Sequence, residues 1–172
     1  SHVDPLEVTK FGQWLNATFG VTVAEHQGKV HDYLGMIMDF SEKGKVSINM
    51  IEYIKGMISD FPEEIVSVKT SPAQDHLFDV RDPSMAQLLP EEQAMAFHHA
   101  TAQLLYLSAR ARRDIQPCIA FLTTRVKAPD EDDWGKVKRV LGYLKGTLHM
   151  PLILSADSLT LSRWWVDAAY AV

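Results

Sequence analysis

The chain has 172 residues, 47% apolar and 23% charged, with a net charge of −5. That is enough for one ordinary domain or two small ones with a real core, and it excludes a disordered chain. A single cysteine, Cys118, excludes an internal disulfide and a cysteine-built zinc site, which points to a reducing compartment.

In chain order, the first predicted element is a helix from Pro5 to about Gly20. Asp4 caps it, Pro5 takes the first helical position, and Glu7 completes a capping box. Val8, Phe11 and Leu15 form its expected buried stripe, and Gly20 ends it. The period then changes. Leu34, Met36, Met38 and Phe40 alternate on one face, "SEKGK" turns, and Val46, Ile48 and Met50 resume the alternation. This predicts a β-hairpin, with Gly35 as a bulge or a close backbone approach within its first strand. Asn49, with Glu52 three residues on, reads as the cap of a second helix that presents Ile51, Ile54 and Ile58 inward and stops at Phe61-Pro62. Residues 62–89 hold Pro62, Pro72 and Pro83 and no sustained period, so a long irregular connection is expected.

Three helices follow. Phe97, Ala100, Leu104 and Leu107 mark one from Pro90 to about Ala111. Ile115, Cys118, Leu122 and Val126 mark another from Asp114 to about Lys127. In the third, acids open the first turn, Trp134, Val137, Leu141 and Leu144 form the inner face, and Gly146 closes it. "PLILSA" and "LTLSRWWVDAAYAV" read as strands. The fold class is therefore α+β. No run of about 18 apolar residues and no basic-then-apolar leader occurs, so no membrane helix or secretory signal is expected.

Charge is unevenly spread. Residues 1–100 hold 7 Lys+Arg against 15 Asp+Glu, and residues 101–150 hold 9 against 5. Clustered cations suit a polyanionic partner, although solvated helix faces are the commoner cause. His26/His31 and His98/His99 lack the i, i+4 spacing that puts two imidazoles on one helical face, so no metal site is expected there. Asp130–Asp133 reads as a solvated, dipole-matched first turn and not as a metal cluster. Phosphate-loop, dinucleotide and nucleophile-elbow motifs are absent. Asp167, set in an apolar strand, stands out because a carboxylate there needs water or a cation.

"HDYLGMIMDF" and "GKVSINMIEYIKGMI" resemble the end of the palm and start of the thumb in copia-type retrotransposon reverse transcriptases. The stretch from "FHHATAQLLYLSARARRDI" to "YLKGT" is similar to that family's downstream region, matching at Tyr106, Arg113, Asp114, Ile115, Tyr143, Leu144, Gly146 and Thr147. "RRDI" departs from the family in lacking a proline. "WWVDAAYAV" resembles the first strand of the family's RNase H domain.

The resemblance implies three regions: residues 1–50 as the end of the palm with a primer-grip-like hairpin, 51–147 as a helical thumb and connection, and 148–172 as the first strands of an incomplete RNase H domain. Tyr33, Leu34, Gly35 and Met36 would lie nearest the nucleic acid, and Arg110, Arg112, Arg113, Lys136, Lys138 and Arg139 would track phosphates. Asp167 would be the catalytic, metal-binding carboxylate of the nuclease, holding Mg2+ only in the complete domain, with no cofactor in this piece. The implied partners are an RNA–DNA or DNA duplex and the remainder of a polyprotein, and no membrane. The implied location is intracellular, in a cytoplasmic virus-like particle or the nucleus. A chain that opens on Ser1 suits an excised piece, catalytically incomplete alone. The alternative is a stand-alone helical protein-interaction module in which Asp167 is incidental.

Overall fold

Local capping chemistry sets the first helix. In the computed structural model, which describes residues 4–20, 22–24, 26–82, 84–156, 158, 160–162, 164 and 166, α1 runs Pro5–Phe19. The Asp4 carboxylate accepts from the Leu6 N–H at 2.9 Å, and Gly20, left-handed at φ 64°, donates its N–H to the Asn16 carbonyl. Two expectations are corrected here. Glu7 pairs with Lys10 at 2.6 Å, one turn along, and takes no part in a capping box. The predicted stripe is only partly covered: Val8 and Leu15 are half-buried, Phe11 is exposed, as is Trp14, and Gly12 is the buried residue of the helix. The aromatic side chains stack on one another, Phe11 against Trp14 at 5.8 Å between centroids.

Four strands form an antiparallel sheet in the order β1 (Val30–Tyr33), β2 (Met36–Asp39), β3 (Lys45–Asn49), β4 (Leu152–Ser155). Met36 and Met38 on β2, Val46 and Ile48 on β3 and Leu152 on β4 turn one face towards the core. The hairpin reading needs a correction at its start. β1 precedes the predicted strand, Tyr33 pairs with Met36, and Leu34-Gly35 is the two-residue turn between them, not a bulge. The "SEKGK" segment does turn the chain between β2 and β3, with the Lys45 N–H on the Glu42 carbonyl and Gly44 at φ 77°. "PLILSA" supplies β4, whose Ser155 pairs with Lys45 and Leu152 with Ile48. The segment 148–172 therefore contributes a strand to the same sheet as residues 30–49.

Helix α2 spans Ile51–Asp60. Its cap is Met50, without a side-chain hydrogen bond, so the Asn49 cap is not used. Helices α3 (Glu91–Arg110), α4 (Gln116–Arg125) and α5 (Glu131–Gly146) follow, with a 3-10 turn at Arg113–Ile115 before α4. Their predicted inner faces meet in one core. Phe97, Leu104, Leu107, Ile115, Leu122, Val137, Leu141 and Leu144 are fully buried there. Burying side chains of this size contributes about 1.5–3 kcal/mol each before entropy is counted.

Residues 62–82 and 84–89 belong to the irregular connection, and residues 63–69 cross α5 as a strap. The Lys69 N–H donates to the Gly142 carbonyl, Lys145 Nζ to the Ile65 carbonyl at 2.7 Å, and Trp134 Nε1 to Glu63 at 2.6 Å. Two glycines let the strap lie this close. A Cβ on Gly142 would stand 2.5 Å from the Ser67 carbonyl oxygen, and one on Gly146 would strike the Val68 side chain.

Gly142→Ala is therefore expected to cost about 1–3 kcal/mol, lowering Tm by about 2–4 °C per kcal/mol for a chain of this size. Gly135 meets nothing within 4 Å, so Gly135→Ala should gain about 0.5–1 kcal/mol from helix propensity. Thermal unfolding of the two variants checks the opposed signs.

Candidate nucleic-acid interface

The β1–β2 turn is strained and exposed. Leu34 has φ 53° and Gly35 φ 76°, the left-handed pair that a two-residue hairpin turn requires. Asn or Asp before Gly adopts it readily, whereas leucine there costs of order 1 kcal/mol or more. Turn chemistry does not select Leu34, and its side chain is 55% exposed beside an equally exposed Tyr33. Strain of this kind persists where the surroundings over-determine it.

Those surroundings are on α2 and α3. The Tyr106 hydroxyl donates to the Leu34 carbonyl at 2.8 Å across 72 residues of sequence. Tyr53 lies against Tyr106 with centroids 5.4 Å apart and donates its hydroxyl to the Gln103 carbonyl. The Arg110 guanidinium sits over the Tyr106 ring, 3.5 Å from its centroid. Burial, and next the neighbouring Tyr106, raises the Tyr53 phenol against the opposing pull of Arg110, so Tyr53 stays a donor at neutral pH. Among the described residues no group accepts from the N–H of Leu34 or Gly35. The turn thus offers two N–H groups with no acceptor among the described residues, and the tyrosine that braces it carries Arg110 on its ring.

Of the residues singled out from the sequence, the structure gathers Tyr33, Leu34, Gly35, Met36 and Arg110 into this one place. Met36 turns inward onto the core. Arg113 is exposed on the 3-10 turn. The other cations are engaged elsewhere. Lys138 pairs with Glu63 at 2.8 Å, and this bond, followed by that from Trp134, holds the Glu63 carboxyl below its ordinary value. Arg139 donates to Ser71. Lys136 is buried, bonded to Asp132 and the Asp79 carbonyl and lying over Phe121. Arg112 is 2% exposed. Lys136 and Arg112 are thereby corrected from surface to interior positions, because each finds acceptors within the fold for its charge.

The acidic run also needs correction. Asp130 and Asp133 are buried and not solvated: they exchange capping bonds, and Arg125 Nε reaches Asp133 at 3.1 Å. Burial, aided by the adjacent Asp130, raises the Asp133 carboxyl despite Arg125. Asp167 lies outside the described residues, as does most of the second strand-like segment. Sequence reasoning missed Tyr53 and the function of Tyr106. Their signal lay in the stretches "IEYIKGMI" and "LLYLSARARRDI", which say nothing about which carbonyl each hydroxyl meets.

Arg112 anchors the other motif residues. Its Nε and one terminal nitrogen fork onto both oxygens of Asp114 at 3.0 and 2.7 Å, and it also donates to the Thr147 carbonyl and hydroxyl. The Tyr143 hydroxyl donates to the same Asp114 at 2.8 Å. Burial alone would raise the Asp114 carboxyl, but the bonds from Arg112 and Tyr143, with the charge of Arg112, together hold it below the usual range. A depressed carboxylate stabilises the fold fully above its unfolded value near 3.9, and that contribution is lost as pH falls through the folded value. Denaturation between pH 7 and 2.5 should show stability falling below about pH 4, with a smaller fall in Asp114→Asn. Arg112→Met should cost about 3–5 kcal/mol at pH 7 by leaving its acceptors unpaired.

No family model matches the chain, and no solved structure matches it significantly. Among curated proteins it is similar to the Saccharomyces cerevisiae protein named "Putative transposon Ty5-1 protein". The two are 23% identical over 145 residues, which covers 83% of this chain and 45% of that relative. The chain thus spans less than half the length of the curated relative it matches, and its similarity is to a transposon protein.

Proposed function

We propose that this chain holds a template–primer duplex as the end of the palm and the thumb and connection of a copia-type retrotransposon reverse transcriptase. The observation that carries this reading is the Leu34-Gly35 turn: exposed, left-handed, with two N–H groups that meet no acceptor among the described residues, and braced on α3 by the tyrosine that carries Arg110. Backbone N–H groups and a neighbouring guanidinium are the means by which a protein fixes a sugar-phosphate chain without reading its bases. Glycine at the contact takes the left-handed backbone without strain. The order of the motifs along the sequence and the similarity to a transposon protein support the same reading.

Local ion pairing narrows the electrostatic part of the proposal. With Arg112, Arg125, Lys136 and Lys138 paired internally, Arg110 and Arg113 carry the phosphate contact. The nuclease part rests on the resemblance of "WWVDAAYAV" to an RNase H strand. In it, Asp167 is one carboxylate of an Mg2+ site whose other ligands come from the remainder of the polyprotein. Two-metal chemistry needs several converging carboxylates, so this chain alone binds duplex without polymerising or cutting it.

Anisotropy of a labelled RNA–DNA hybrid titrated with the chain should show weak, sequence-independent binding, with Kd of about 1–100 μM that weakens with salt. Arg110→Gln and Arg113→Gln should each lower the log–log salt slope by about one unit, and Lys138→Gln by less. Absence of hybrid binding at low salt would overturn the proposal and favour a protein-interaction module, to which the uncovered aromatic face of α1 would then belong.

A further inference from the structure

We infer that Tyr106 is a positioning residue for the nucleic-acid backbone: its hydroxyl aims and strengthens the Gly35 N–H as a donor to a phosphodiester oxygen. This rests on the duplex-holding reading given above and adds to it a residue on a different element. The Leu34 carbonyl and the Gly35 N–H belong to one peptide unit. No cis peptide bond occurs among the described residues, so the two groups point in opposite directions. Tyr106 draws the carbonyl towards α3 at 2.8 Å, which turns the Gly35 N–H away from the helix, where no described group accepts from it.

Two physical consequences follow from that bond. A carbonyl that accepts a hydrogen bond polarises its own peptide unit, so the N–H at the other end becomes a stronger donor. A donor facing an anionic oxygen gains more than one facing a neutral acceptor. The hydroxyl also satisfies the Leu34 carbonyl, an acceptor at the tip that would otherwise repel a phosphate. The ring is held for this task on both sides, by Tyr53 at 5.4 Å and by the Arg110 guanidinium at 3.5 Å. Arg110 thereby braces the ring. Leucine at a left-handed φ fits this account, because the external hydroxyl bond offsets strain that the turn itself does not relieve.

The experiment compares the full chain with Tyr106→Phe, which keeps the ring and its stacking, and with a form carrying 4-aminophenylalanine in place of Tyr106, which restores a donor. Hybrid affinity is measured by anisotropy, and the Gly35 amide is followed in 15N–1H spectra. In the unmodified chain, saturating hybrid should move the Gly35 amide proton downfield. Tyr106→Phe should weaken binding about three- to tenfold, the net worth of one hydrogen bond, with spectra elsewhere unchanged, and the amino form should recover most of the loss. Hybrid binding by the unmodified chain that leaves the Gly35 amide unmoved overturns the inference alone. So does Tyr106→Phe binding as tightly as the unmodified chain. No hybrid binding at all overturns the duplex-holding reading itself, and the positioning function falls with it.

Discussion

A guanidinium taken out of water costs several kcal/mol unless its donors find acceptors, and Arg112 makes four such bonds by drawing three parts of the chain to one point. It stands just beyond the end of α3, forks onto Asp114 within the 3-10 turn, and caps the end of α5 through Thr147. Tyr143 closes the ring of contacts on Asp114. Thus the angle between α3 and α4 and the end of α5 are fixed by one charge. The apolar faces supply most of the favourable energy, but they do so in many near-equivalent ways; a fork of five directed donors admits few.

The same logic recurs on a smaller scale along α5. Its first turn is held by Asp130, Asp133 and Arg125, and its last by Arg112. Between them, glycines open a groove in which the strap lies against the backbone. Helix α5 is therefore clamped at both ends and overlaid along its length. Helix α3, which carries Tyr106 and Arg110, packs on the same core. The brace beneath the β1–β2 turn is thus anchored by packing that lies far from the turn in sequence.

The helices were legible because their apolar residues repeat at the helical period and little else competes: Phe97, Ala100, Leu104 and Leu107 are buried as their spacing implies. The strand β1 was not legible. Val-His-Asp-Tyr is mostly exposed, so no alternation marks it, and the turn after it uses leucine where Asn would have signalled a hairpin. Periodicity also identifies an amphipathic helix without saying what covers it, and α1 shows the difference. Charges were the least legible. Sequence matching placed Arg113 in the motif, whereas its neighbour Arg112 goes inside, and nothing in the order of residues tells that Arg125 will find Asp133. Such pairings depend on how two elements pack, which a linear pattern does not contain.

The pairing of β4 with β3 has a consequence for how the chain reaches this state. Lys45 and Ser155 are neighbours in the sheet, yet α2, the strap, α3, α4 and α5 all lie between them in sequence. The hairpin of β2 and β3 can close early from local contacts, but its fourth strand arrives only after the whole helical segment has been made. Until then the outer edge of β3 is unpaired, and an open edge invites strands from other chains. Closing so long a loop costs chain entropy that falls sharply once the helices have compacted. The helical segment is therefore the bridge that links β3 to β4 in the sheet.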